Sequence, residues 1–484
     1  MRRHHPHPGR KREQGVVITL VAVFMASVVI VMAALAIDLT TLYTARSEAQ
    51  LAADSSALAG ARVLANSGMT SSDGTIPLSP VFDTLGAENL ATVVAMQVAA
   101  SNQIGGKNLV PPGTGVSTCN GAGAQISVCF NDSDVSNPRV TVQVNRPDLP
   151  TFFLRFWKQQ LPVSAGATAE AYNPAGLSTR RTPAAPVAPI CVKPWLLPNV
   201  DPTQGAGTTN WRAIFDRRHG TIENANLTGE GWPNTNPSPN ATGLLSQPSF
   251  AGTPAPGQYY PVVIDAPGPS IPGDFPTPTQ ALPSCSNGYT NYQLAVAGCV
   301  PQPIACGRNQ NFNIDTGTYA PKNRNRDEDT VEAAQCLIHY NGALNDTDSM
   351  SPNTGETIPP LAQPQSLTPP FEFVAGNQNP VTTAQTQDVL VSDSIVTIPV
   401  YDTLANSGNQ PGPPISPVTV IGFLHVFLNP QSDVILPPIG ATPLQAYQLR
   451  ATIINQIGCG TFASGTPVYG NGPSAVPVRL ITPP

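Results

Sequence analysis

The chain has 484 residues, of which 40 % are hydrophobic and only 11 % charged, with a formal net charge of −6. This length allows two or three domains. The acidic balance provides no broadly basic face, which excludes a typical nucleic-acid-binding protein.

An uncharged apolar run, Val16–Ile37, dominates the start of the chain. A helix over it would span roughly 33 Å, about the thickness of the hydrocarbon core of a bilayer. Five basic residues and one acid precede it, and basic flanks stay in the cytoplasm. We therefore predict a cytoplasmic basic tail over residues 1–15, a single transmembrane helix over 16–37, and the bulk of the chain outside the cytoplasm.

The alternative to an uncleaved anchor is a cleaved secretory signal. Small residues around Ala33 to Ala36 offer a cleavage pattern. The apolar regions of such signals run about 7–15 residues, and this run is longer, which favours the anchor.

The helix is predicted to continue beyond the membrane as a stalk over Leu39–Asn66, a segment rich in alanine. Small side chains allow another element to approach closely. Two interpretations stay open here: the helix packs on its own domain, or stalk helices pack together in a homo-oligomer.

Residues 38–172 are predicted to form a small α+β domain. Glu88–Gln103 has the apolar periodicity of a helix, and Val140, Val142 and Val144 alternate with polar residues as in a half-buried strand. The predicted strands are Gln125–Phe130, Arg139–Asn145 and Val163–Tyr172, with a helical turn within Leu149–Trp157.

The composition changes after residue 172, because 44 of the 54 prolines follow it. Proline removes a backbone donor and disfavours long helices. We predict a proline-rich linker over 173–190, extended at Thr182–Pro189, and a loop-rich β or α+β domain over 191–484. Its predicted strands are Tyr260–Asp265, Asp388–Tyr401, Val418–Leu428 and Val478–Ile481, and its predicted helices are Glu328–His339 and Pro443–Ile457. The fold class is therefore α+β.

The eight cysteines predict at least two disulfides, because their number is even and the chain is expected to be exported. The alternative is a set of free buried thiols. A Cys119–Cys129 bridge would fix one hairpin, whereas the connectivity of the others stays open. The cysteines are Cys119, Cys129, Cys191, Cys285, Cys299, Cys306, Cys336 and Cys459.

The histidines do not assemble into a metal or catalytic motif. His4, His5 and His7 lie in the basic tail, and His219 lies in a stretch typical of a solvated turn. His425 lies within an apolar strand and is predicted to pack there. His339 follows Cys336 in a C-x-x-H spacing, a weak zinc signal because no second ligand pair accompanies it.

The remaining polar clusters are also weak site signals. Asp132, Asp134 and Ser136 form a D-x-D-x-S pattern that suits calcium, but no glycine-plus-glutamate arrangement follows, so a polar turn is favoured. The charged segment Asn323–Asp329 is predicted to be a solvated loop. The chain also lacks the common nucleophile, zinc and phosphate-binding motifs. We therefore predict no catalytic residue, no metal ligand and no cofactor, hence a non-enzymatic protein.

The N-terminal third resembles the TadE/TadG-like family of Flp (Tad) pilus-assembly proteins. The resemblance rests on RKREQG (10–15), the apolar run and AALAIDLTTLYTARSEAQLAADSSALAGA (33–61), with a second stretch at 140–174. It contains the family's order of residues at Asp38, Tyr43, Arg46, Gln50 and Asp54.

The resemblance implies a periplasm-facing, inner-membrane component of a pilus or secretion machine, whose partners are other assembly proteins. Gly15 stands where pilin precursors are cut, but Leu20 stands where a pilin carries glutamate. We therefore expect the helix to stay in the membrane. The alternatives are an exported adhesin that binds a surface ligand through its proline-rich part, and, with least support, an envelope hydrolase.

Overall fold

The structure is a computed structural model that describes most of the chain in separate ranges. The described residues are 11–71, 84–110, 124–134, 136–149, 161–174, 185–201, 212–217, 220–223, 231–232, 260–263, 284–300, 302–314, 326–343, 345–352, 371–403, 414–428, 449, 451–459, 466–469 and 474–481.

The described elements confirm a mixed α+β fold. The helices are α1 (Lys11–Asn66), α2 (Thr84–Ser101), α3 (Asn291–Ala297) and α4 (Arg326–Leu337). The strands are β1 (Gln103–Ile104), β2 (Lys107–Asn108), β3 (Ile126–Asn131), β4 (Arg139–Leu149), β5 (Leu161–Ala171), β6 (Val187–Ala188), β7 (Trp195–Pro198), β8 (Gly231–Trp232), β9 (Tyr260–Val263), β10 (Asn309–Gln310), β11 (Asn313–Ile314), β12 (Ser349–Pro352), β13 (Phe371–Val374), β14 (Ile395–Tyr401), β15 (Val418–Leu428), β16 (Ala451–Gly458), β17 (Val468–Tyr469) and β18 (Val478–Ile481).

The predicted anchor and stalk form one continuous helix, α1, which ends at Asn66 as predicted. The sequence after it explains the end, because Ser67 and Gly68 follow and Gly68 adopts a positive φ of 82°. The second predicted helix is confirmed as α2, although it begins at Thr84 rather than Glu88.

The predicted strands of the N-terminal domain belong to a four-stranded sheet with the order β18-β5-β4-β3. The burial of β4 alternates along most of its length, as its valines predict. The C-terminal strand β18 has its predicted bounds and pairs antiparallel with β5, with Arg479 opposite Glu170. Sequence patterns do not indicate this pairing, which joins residues more than 300 positions apart.

The predicted β-rich half is built on an eight-stranded sheet with the path β11-β9-β7-β14-β15-β16-β8, to which β10 adds by pairing with β15. Its centre consists of three antiparallel strands, β14, β15 and β16. All residues of β14 and β16 are buried, as expected for central strands covered on both faces.

Two layers cover this central sheet. On one face, Leu424 and Val426 of β15 belong to a core cluster with Val296 of α3 and Leu337 of α4. Side chains alternate along a strand, so Phe423 faces the other way, and it belongs to a cluster with Ala65 near the end of α1. The end of the stalk helix therefore contributes to the core on this second face.

Two element predictions need correction. The helix predicted over Pro443–Ile457 is wrong where the structure describes it, because Ala451–Gly458 is the central strand β16. A strand buried on both faces shows no period-two alternation, and here Asn455 and Gln456 also interrupt the apolar run that would otherwise indicate a buried strand. The strand predicted to begin at Asp388 begins at Ile395, after a turn in which the Ile395 amide donates to the Ser392 carbonyl.

Residues 185–190, at the end of the predicted proline-rich linker, are packed rather than exposed. Val187 and Ala188 form β6, which pairs parallel with β17, and both are 1 % exposed. Their burial follows from the apolar side chains that separate the prolines.

The described fold divides into two compact units. The first comprises residues 1–56, 96–128 and 142–167, and the second comprises residues 57–95, 129–141 and 168–484.

Candidate functional site

The apolar run of α1 is exposed over its whole length. Its large side chains from Val16 to Ile37 are 41–69 % exposed, and in the described chain only this helix is long and apolar enough to cross a membrane. The polar side chains within the run are satisfied by the helix itself, because Thr19 Oγ1 donates to the Gly15 carbonyl at 2.8 Å and Ser27 Oγ to the Phe24 carbonyl at 2.7 Å. The run therefore presents an almost wholly apolar surface suited to hydrocarbon.

The alanine face of α1 is buried within the chain. Ala45, Ala49, Ala52 and Ala53 are at most 1 % exposed. At its side, Glu48 accepts the Gly105 amide at 2.6 Å in the first unit. These alanines thus pack on their own domain, the first of the two interpretations of the stalk.

The opposite face of the same helix is exposed. It consists of Leu39, Tyr43, Arg46, Gln50 and Leu51. Leu39, Tyr43 and Leu51 are 50 %, 67 % and 64 % exposed. We call this set the outer face of α1.

In the second unit, α2 and β4 approach α1 closely at Gly60. A methyl group at this position would lie 3.1 Å from Val140 Cγ1, 3.5 Å from the Ala91 carbonyl oxygen and 3.5 Å from Ala95 Cβ. Glycine therefore lets α1 approach α2 and β4 more closely than a larger residue would.

We expect Gly60→Leu to lower the free energy of unfolding by about 3 kcal/mol or more, because the added side chain overpacks this contact. In Gly60→Ala, better helix propensity opposes the close methyl contact, and we expect a change within about 1 kcal/mol. Chemical denaturation of the detergent-solubilised full-length chain measures both. Equal stability of the leucine variant and the parent would contradict the close packing.

A buried polar cluster holds the end of α1 against the central sheet. Asn455 of β16 donates to the Ala65 carbonyl at 2.7 Å and accepts from the Ser71 hydroxyl at 2.6 Å, and it also contacts Thr70 Oγ1. Asn173 Nδ2 donates to the Thr70 carbonyl at 2.6 Å. These residues, which we call the helix seat, are all less than 1 % exposed.

We expect Asn455→Ala to lower the free energy of unfolding by about 2–3 kcal/mol, because it removes several hydrogen bonds that join buried groups. The matched control is Gln456→Leu on the same strand. The side-chain amide of Gln456 is equally buried but has no hydrogen-bond partner among the described residues, so its loss should be neutral or stabilising. A smaller loss for Asn455→Ala than for Gln456→Leu in urea unfolding would refute the role of the seat.

A buried histidine lies next to the helix seat. His425 is directly opposite Asn455 in the register of β15 and β16, and it is fully buried. Neither ring nitrogen has a hydrogen-bond partner within the described residues. Burial, with a smaller contribution from the positive charge of Arg62, lowers the pKa of His425 to about 3. The imidazole is therefore neutral and packs in the core, as the sequence predicts.

The C-terminal strand is fixed by charge pairs. Glu170, whose side chain is 5 % exposed, accepts from Arg479 at 2.6 Å and lies 3.5 Å from Arg139. The Arg479 guanidinium also stacks over the ring of Tyr172, 4.6 Å from its centre.

Three disulfides crosslink the second unit: Cys191–Cys299, Cys285–Cys336 and Cys306–Cys459. These three bridges, which all lie among the described residues, confirm the prediction of at least two disulfides. Cys129 is also oxidised, whereas its expected partner Cys119 lies outside the described residues.

The weak site signals resolve into structural roles where the structure describes them. His339 Nε2 lies 2.8 Å from Asp393 Oδ2, and Cys336 is in a disulfide, so the C-x-x-H spacing holds no zinc pair. The Ser136 hydroxyl donates to Asp134 at 2.6 Å, which forms a polar turn. The described residues contain no cluster of three or more potential metal ligands.

The prediction of a solvated loop at Asn323–Asp329 needs correction for its described part. Arg326–Asp329 begins α4, and Asp329 is 4 % exposed. Acids favour a helix N-terminus, where the macrodipole is positive. His219, the first ten residues and Pro150 to Trp157 lie outside the described residues, so the predictions for them stay predictions.

The sequence did not indicate the helix seat. The only available signal was the pair Asn455-Gln456 within an otherwise apolar strand, because a buried amide needs partners.

Comparison with known families gives one match. Residues 15–63 match the family described as "Putative Flp pilus-assembly TadE/G-like". The matched range begins one residue before the apolar run and ends in the last turns of α1, which are packed in the second unit. No curated protein and no solved structure matches the chain significantly.

Proposed function

We propose that this chain, which carries an N-terminal TadE/G-like Flp pilus-assembly domain, is a non-enzymatic, membrane-anchored component of Flp/Tad-type pilus assembly or secretion. One observation carries the proposal: the matched range coincides with a helix that is exposed and apolar at one end and packed into a disulfide-linked domain at the other. Such a helix suits a scaffold that holds a folded domain beside the membrane.

The proposed location is the inner membrane, crossed once, with the N-terminus in the cytoplasm. The basic residues before the run support this orientation through the positive-inside rule. The disulfides support it independently, because the second unit would then lie in the oxidising periplasm.

The proposed partners are other pilus-assembly proteins, with a homo-oligomer through the stalk helix as a further possibility. Because the alanine face is already occupied, such an oligomer would have to use the outer face of α1. Interfaces of this kind need no catalytic residue or cofactor.

Deletion of the gene tests the proposal. We expect surface pili or secretion to be lost while the pilin level stays normal. The full-length chain should restore pili, whereas a chain with residues 1–37 replaced by a cleavable secretory signal should not. Normal pili in the deletion strain would overturn the proposal.

Protease access separates this function from the adhesin alternative. A periplasmic scaffold is protected on intact cells until the outer envelope is permeabilised. Digestion of the second unit on intact cells would favour an exported adhesin.

A further inference from the structure

The segment that follows the apolar run is suited to the lipid headgroup layer. No residue from Leu39 to Thr44 is charged, and Asp38, which precedes them, is only 5 % exposed. The threonine hydroxyls are satisfied by the helix: Thr40 Oγ1 donates to Ala36 at 2.7 Å, and Thr44 Oγ1 to Thr40 at 3.0 Å. Such hydroxyls need little water, which lowers the free-energy cost of placing them in the interface.

The first exposed charge follows on the same face. Tyr43 is 67 % exposed, and Arg46 is exposed one turn further on. Tyr43 lies six residues beyond Ile37, or about 9 Å along the axis, and Arg46 lies about 13 Å beyond it. Helical side chains lean toward the N-terminus, which here means toward the bilayer.

These positions match the dimensions of a membrane. The headgroup layer adds roughly 5–7 Å on each side of the hydrocarbon core. The leaning phenol of Tyr43 therefore reaches this layer, and the long side chain of Arg46 extends back to the level of the phosphates.

We propose that Leu39–Arg46 lies in the headgroup layer of the extracytoplasmic leaflet, where Tyr43 and Arg46 bind phospholipid headgroups and set the height of the first unit above the bilayer. This inference rests on the proposed function, in which Val16–Ile37 spans the membrane. It extends the lipid-contacting part of α1 by about two and a half turns beyond the apolar run.

Charge favours lipid over a second copy of the chain as the occupant of this face. Two parallel copies anchored in one membrane would hold their outer faces at the same height. Arg46 of each copy would then lie beside Arg46 of the other, which is unfavourable. A phosphate pairs with the same guanidinium favourably.

Spin-label depth measurements test the proposal. The full-length chain is reconstituted in vesicles of phosphatidylethanolamine and phosphatidylglycerol. Single labels are attached through Thr40→Cys, Thr44→Cys and Leu51→Cys, with Val29→Cys as a marker of the span. Relaxation by oxygen and by a water-soluble nickel chelate reports depth.

We expect positions 40 and 44 to favour oxygen over the chelate, and position 51 to favour the chelate. Arg46→Gln should shift the label at 44 toward water, whereas Arg308→Gln, which removes an exposed arginine of the second unit, should not. Equal chelate access at 44 and 51 would overturn the proposal.

Two further outcomes of the spin-label measurement can be distinguished from each other. Dipolar broadening between labels at position 44 of two chains would assign this face to a second copy and overturn the lipid assignment. Chelate access at position 29 would instead show that the span, and with it the proposed anchor, is wrong.

Discussion

Removal of the Cys306–Cys459 bridge should lower the free energy of unfolding by about 5 kcal/mol. The two cysteines are 153 positions apart, and closing a loop of this length removes much of the entropy of the unfolded chain. Both residues are at most 2 % exposed and belong to the core cluster that contains Ala65 of α1. The bridge thus stabilises the part of the fold that receives the stalk helix.

The variant to measure is Cys306→Ala/Cys459→Ala, with alanine chosen so that no buried hydroxyl is introduced. Guanidinium unfolding of the oxidised full-length chain gives the difference. In the comparison variant Cys285→Ala/Cys336→Ala, the bridge that is removed closes a loop of only 51 positions, so the loss of stability should be smaller by about 1 kcal/mol. Unchanged stability of the first variant would show that the bridge does not constrain the fold.

Acidification should destabilise the protein through His425. The pKa of this imidazole is about 3 in the fold, because burial and then Arg62 disfavour its charged form, against an ordinary value of 6.5. Below pH 6.5 the unfolded chain therefore takes up a proton that the folded chain does not. The stabilisation is complete above pH 6.5 and is lost as the pH falls toward 3.

Between pH 7 and pH 4 this single group should remove about 3 kcal/mol from the free energy of unfolding. His425→Phe keeps an aromatic ring in the core but cannot titrate. Between pH 7 and pH 4 its free energy of unfolding should therefore fall by about 3 kcal/mol less than that of the parent. Gln456→Leu serves as a control that leaves the pH dependence unchanged. Parallel pH profiles for the parent and His425→Phe in urea unfolding would contradict the buried neutral histidine.

Local sequence pattern predicts the apolar run of α1 and the elements that keep one face exposed. The apolar start of α1, the end of this helix at Asn66 and strand β4 follow from hydrophobicity, alanine content and alternation. The strands β15 and β18 have their predicted bounds, because each begins directly after a proline, Pro417 and Pro477.

Local sequence pattern does not predict which distant strands pair or which distant residues make contact. The strand β16 was mistaken for a helix because it shows no alternation and because Asn455 and Gln456 interrupt the continuous apolar run that identifies β14 and β15 as strands. The pairing of β18 with β5 depends on residues at opposite ends of the chain, among them Arg479 and Glu170. The helix seat is similar, because Asn455 finds its partners at Ala65 and Ser71 only after the sheet has formed.

The central claim is that one helix crosses the membrane and holds the folded units outside the cytoplasm. Its most direct test uses single introduced cysteines, His5→Cys in the basic tail and Lys107→Cys, whose parent side chain is 67 % exposed in the first unit. A membrane-impermeant maleimide is added to spheroplasts that contain the full-length chain. The account predicts labelling at position 107 and none at position 5 until the membrane is lysed. Labelling at position 5 with protection at position 107 would contradict it.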